Sequence, residues 1–164
     1  MADFDPCYEF MMDNEDAGRK YACVPDAPVG AFAISGINSV AFPEDFARIK
    51  AAPQAERGPL VKDFYRARLW NAWLEQLNNE DLAARVFDAA VNMGAGTAVR
   101  LLQYAVGATS DSKWGPQTVG RANAWGAGAV DSFKSQRRHY YEEIIKANPV
   151  KQVYATVWFA RAAK

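Results

Sequence analysis

Apolar residues recur at helical spacing through most of the chain, and proline or glycine marks the ends of the runs. Asp5-Pro6 has the form of an N-cap followed by proline at the first helical position. It predicts a short helix to about Asn14 carrying Tyr8, Phe10, Met11 and Met12. From Glu15 to Phe42 the pattern changes. Gly18, Pro25, Pro28, Gly30 and Gly36 interrupt short apolar runs, which predicts loops and a small hairpin. Helical spacing resumes at Pro43. Pro59 opens a stretch in which Leu60, Phe64, Leu69, Trp70, Trp73 and Leu77 fall on one stripe, predicting a single helix to Leu77. Asn79 is a fitting N-cap for the run that ends at Met93, with Gly94 as its stop. Further helices are expected over Thr97–Val106, from Pro116, over Asp131–Ala147, and after Asn148-Pro149.

The pattern predicts an all-α chain of about seven or eight helices with one irregular or hairpin segment after the first. With 164 residues the chain suits a single compact domain. A soft subdivision near Gly94 would separate residues 1–94 from 95–164.

Composition narrows the function. Nineteen acidic and nineteen basic residues cancel, which argues against a dedicated nucleic-acid binder. Arg137, Arg138 and His139 form only a small basic patch, read as a solvated helix face. The single histidine leaves no Ser-His-Asp or Cys-His arrangement except one built on His139, and no Cys/His cluster has zinc-site spacing. Neither a metal nor an organic cofactor is implied. Cys7 and Cys23 are too few for a disulfide framework, and their pairing stays open. The opening MADFDPCYEF lacks a secretory signal's basic start and apolar run, and no segment approaches a membrane span. The expectation is a protein made in the cytoplasm and not stably inserted in a membrane.

The chemically informative stretch is residues 14–39. Glu15 falls where the first helix should end. A carboxyl group partly desolvated at such a junction tends to keep its proton, and a protonated carboxyl beside a cleft is what cleavage of a glycosidic bond requires. Tyr21, Asp26, Ser35 and Asn38 follow, offering the hydroxyl, amide and carboxylate groups that recognise sugars. Each has an ordinary alternative role: a solvated Glu, and loop-holding hydrogen bonders. Asp26 and Asp88 are candidates for a second carboxylate. Asp88 and Asn92 share one helix face, where they would either line a cleft or orient the helices.

These residues resemble the N-terminal signature of glycoside hydrolase family 108. There a Glu-Gly-Gly-Tyr motif precedes Asp-Pro-Gly-Gly and Gly-Ile-Thr. Here Glu15-Asp16-Ala17-Gly18 stands for the first element with Tyr21 displaced, VPDAPVGAF for the second, and Ser35-Gly36-Ile37-Asn38 for the third. The likeness continues in FYRARLWNAW (64–73), LAARVFDAAVNMG (82–94), LLQYAVGATSDSKWGPQTV (101–119), RRHYYEEIIKANP (137–149) and the Trp158…Arg161 ending, and so covers nearly the whole chain. It implies a lysozyme-like helical fold with a peptidoglycan-binding-like second part. It implies hydrolysis between N-acetylmuramic acid and N-acetylglucosamine, with Glu15 as general acid and glycan strands as the partner of a monomer. It also implies an endolysin that reaches the cell wall through holin-type lesions. A lytic transglycosylase and a non-catalytic wall-binding protein remain as alternatives.

Of the five tryptophans, Trp70 and Trp158 are expected in the core, and Trp114, beside Gly115-Pro116, is the candidate for wall contact. The stripe Val150, Val153, Tyr154, Val157 and Trp158 is expected to pack on the domain.

Overall fold

In the computed structural model, which describes all 164 residues, the chain forms nine α-helices and one small sheet. Helix α1 runs Phe4–Glu15, and its cap is Asp3, whose carboxylate accepts from the Asp5 N–H; Asp5 itself lies inside the helix. The sheet follows: β1 (Cys23–Asp26), β2 (Ala31–Ile34) and β3 (Ile37–Asn38), antiparallel in the order β1-β2-β3. Pairing of Ile34 with Ile37 leaves a two-residue loop, Ser35-Gly36. Both residues have positive φ (48° and 83°), as the tightest hairpin turns require.

Then come α2 (Pro43–Ala51), α3 (Arg57–Arg68), α4 (Ala72–Glu75), α5 (Glu80–Met93), α6 (Ala95–Val106), α7 (Pro116–Trp125), α8 (Gly128–Ala147) and α9 (Ala155–Ala163). The run after Pro59, expected as one helix, is two. The break falls at Asn71, whose side chain accepts from Trp73 N–H and Leu74 N–H and so caps a new helix inside the stripe. That cap, a long α8 that starts at Gly128 and not at Asp131, and a 3₁₀ turn over Pro149–Tyr154 that delays α9 to Ala155 are the main differences from the expected elements.

α5 is the axis of the core. Every residue from Leu82 to Ala90 is buried. Its alanines let α1 approach, and Cys7, Tyr8, Met11 and Met12 fill the contact. Phe4, Trp70 and Phe87 pack edge to face beside it. Gly94 (φ 88°) joins α5 to α6 without a loop, and one continuous core holds residues from both sides of it. Both cysteines are free thiols; burial, then the nearby Glu80 and Asp3, push Cys7 up to about 12. In the Leu101-Leu102-Gln103 stretch, Gln103 has a local holding role. Buried Gln103 donates to Thr118, Asp111 and the Lys113 carbonyl and accepts from two backbone N–H groups, which holds the loop before α7.

Trp70 is buried as expected, but Trp158 is only half-buried, stacked between Tyr141 and Tyr154. The stripe from Val150 to Val157 points into solvent, not onto the domain. No helix is long and apolar enough to cross a membrane.

Candidate active site

Glu15 is the last residue of α1, and the chain turns away immediately after it. Asp16 organises that turn. Its carboxylate accepts from Lys20 N–H (3.0 Å), Tyr21 N–H (2.8 Å) and the Ser35 hydroxyl (2.8 Å). Burial raises the Asp16 pKa, but these hydrogen bonds and Arg19 outweigh it and leave the group below its ordinary value. The Ser35-Gly36 turn is thereby drawn back over the end of α1.

Gly36 lies directly against the Glu15 carboxylate. A Cβ there would sit 2.7 Å from Glu15 Oε2 and 2.8 Å from the Tyr65 hydroxyl, so glycine is required by space as well as by φ. The Tyr65 hydroxyl donates to the Ser35 carbonyl at 2.7 Å. Burial, and then the Glu15 charge, push this phenol well above its ordinary range, so it remains a donor. Beside Gly36 and Tyr65 opens a cavity of about 170 Å³, otherwise lined mainly by apolar groups such as Phe42, Phe64, Leu69 and Val91.

The two oxygens of Glu15 are treated differently. Oε1 accepts from Arg161 Nη2 at 2.5 Å. Oε2 has no hydrogen-bond partner and is not sealed, and the side chain keeps 16 % of its surface exposed. Behind Arg161 stands Asp88, fully buried. It accepts from Arg161 Nη2 (2.7 Å) and Nε (3.2 Å), Arg137 Nη1 (2.6 Å) and Asn14 Nδ2 (3.1 Å). Arg137 reaches on to Tyr141, whose hydroxyl donates to Asn92. Two carboxylates and two guanidiniums balance, which is what makes burial of these charges tolerable. Desolvation lowers the Arg161 pKa, but Asp88 and Glu15 more than reverse this, so Arg161 is a permanent cation.

Of the two roles open to Asp88, the structure shows the helix-orienting one, for Asp88 is sealed in the core and lines no cleft. One reading changes here. Arg137 is 2 % exposed and is the inner partner of Asp88, so it belongs to no solvated basic patch. The other candidates fall into two pairs. Ser35 and Tyr21 converge on Asp16 through a hydroxyl and a backbone N–H, and the Tyr21 ring lies against Gly58. Asn38 Nδ2 donates to Asp26 (2.8 Å) and to the Ala27 carbonyl, and Asn38 Oδ1 accepts from Val40 and Ala41 N–H, which ties the hairpin together. No hydrogen bond joins this second pair to Glu15. Sequence reasoning missed Asp16, Tyr65 and Arg161 as members of the site. Arg161 lies 146 positions from Glu15, and no local pattern signals such a contact.

No family model and no curated protein matches the chain. Among solved structures, SagA of Brucella abortus is similar over 98 % of this chain and 89 % of its own, with a TM-score of 0.72 at 19 % identity. The two share a fold.

Proposed function

We propose that this chain is a peptidoglycan hydrolase, an N-acetylmuramidase of the kind found in glycoside hydrolase family 108. The observation that carries the reading is the asymmetry of Glu15. One oxygen is fixed by Arg161, and the other, unpartnered, faces Gly36 at the seam between the hairpin and the helical body. A glycan strand lying along that seam would place its glycosidic oxygen at Oε2, and Glu15, once it has taken up a proton from solvent, passes it to the leaving group. Water then attacks the anomeric carbon. Asp26, Asn38, Tyr21 and Ser35 shape the strand's path, and the chemistry calls for neither metal nor cofactor. The protein acts on the wall as an endolysin, once membrane lesions give it access.

One observation favours a second reading, a lytic transglycosylase. Asp88 is sealed, Asp16 accepts from three donors, and Asp26 is held by Asn38 and the Ala27 N–H with no bond toward Glu15, so none is a free second carboxylate beside it. In that chemistry Glu15 serves as acid and then as base, and the sugar's own 6-hydroxyl replaces water.

Digestion of purified sacculi by the wild type and by Glu15→Gln, with mass analysis of the soluble products, separates these readings. Reducing muramic-acid ends from the wild type alone support the muramidase, and 1,6-anhydro ends support the transglycosylase. Binding without release by either protein would mean a wall-binding module.

A further inference from the structure

The segment after α8 begins with a 3₁₀ turn, Pro149–Tyr154, that continues directly into α9. Val150, Val153, Tyr154 and Val157, spaced i, i+3, i+4 and i+7, share its outer face, and they are 79, 77, 53 and 67 % exposed. On the opposite side of α9, Ala155 and Ala162 are buried against the body, and Arg161, one turn beyond Val157, reaches inward to Glu15 and Asp88. The segment is thus anchored on one side and apolar on the other, a shape that core packing does not explain.

Its charge says what covers it. From Ala147 to Lys164 there is no acidic residue, although the chain has nineteen elsewhere. With Arg161 committed to the interior and Lys164 donating to Asn14, Lys151 remains as the outward cation, next to Val150 in the exposed segment. The nearest acids, Glu142 and Glu143, lie on α8 and are paired with Arg138 and Lys146. Tyr154 adds an aromatic ring with a polar tip, the kind of side chain that settles at a headgroup boundary. Four side chains offer a few hundred square ångströms, well short of the roughly 800 Å² per partner that a stable dimer buries.

We propose that this face docks reversibly on an anionic lipid surface, with Val150, Val153 and Val157 entering the headgroup–acyl boundary, Tyr154 at its edge, and Lys151 against lipid phosphate. The helix lies on the membrane and does not cross it.

The test is co-sedimentation of the full chain with vesicles of phosphatidylethanolamine and phosphatidylglycerol, against vesicles of phosphatidylcholine alone. The wild type should bind the anionic vesicles, less so at high salt. Val153→Asp with Val157→Asp should lower the partition coefficient by about tenfold or more. Circular dichroism and thermal melting of that variant should match the wild type, because both positions are exposed. Lys151→Glu, which leaves the apolar side chains intact, should weaken binding to the anionic vesicles selectively. Absence of binding to either vesicle overturns the proposal. So does equal binding to both. A concentration-dependent dimer that the double variant abolishes would also overturn it, by assigning the face to a second copy of the chain.

Discussion

Two regions meet at Glu15 and are held together by opposite means. On the helical side, α1, α5, α8 and α9 are locked by close packing around a cluster in which Asp88 and Glu15 balance Arg137 and Arg161. On the hairpin side, residues 16–42 bury little. They are shaped by positive-φ turns and by polar side chains that bond their own backbone. The first kind of region fixes a charge in place and tolerates almost no change. The second follows its turn chemistry and keeps much of its length exposed. Glu15 belongs to the rigid side by its helix and to the open side by Oε2.

The largest expected effect strikes the seam itself. Glu15→Gln keeps the shape and the Arg161 contact but removes the transferable proton. Release of muropeptides should fall by roughly 10²- to 10⁴-fold, with the denaturation midpoint almost unchanged. Asp88→Asn attacks the rigid side. It strips the counter-charge from two buried guanidiniums, and urea unfolding should register a loss of about 3–5 kcal/mol. A small loss would mean that the cluster is far better hydrated than its burial implies. Gly36→Ala joins the two regions, because it strains a φ of 83° and pushes on Glu15 Oε2 and Tyr65. Stability should drop by about 1–3 kcal/mol, and hydrolysis should fall with it.

Smaller effects sharpen the description of the hairpin. Asn38→Ala should cost about 0.5–1.5 kcal/mol if its bonds only hold the loop. An increase in KM without loss of stability would instead assign Asn38 to substrate. Asp16 gives a pH signature. Its folded pKa lies below the unfolded value of about 3.9, so its contribution is complete above that pH and is lost as acid titrates through the lower folded value. The stability curves of the wild type and Asp16→Asn should therefore converge only in strong acid.

The helices and the hairpin were legible because periodicity, caps and turn residues are local signals. Pro43, Asn79 and Pro116 each mark a helix start where one is found. Asn71 was the failure: an apolar stripe ran through it, and a cap inside a stripe looks like one more helical residue. The site was legible only in part. Glu15 lies at a junction that turn residues reveal. Arg161, by contrast, sits in an apolar helix whose composition says nothing of Asp88. Arg137, between Gln136 and Arg138, reads as surface because adjacent charges hide which one of them faces inward.

The contacts of Arg161 also set an order of events during synthesis. Glu15, Asp88 and Arg161 come from the first, middle and last parts of the sequence. A nascent chain emerges N-terminus first, synthesised at about 5–20 residues per second. Until residue 161 has left the ribosome, Glu15 lacks its guanidinium, and Asp88 cannot be buried at low cost. Partial chains therefore carry Glu15 but not the arrangement that positions it, and that arrangement forms only once α9 has been made.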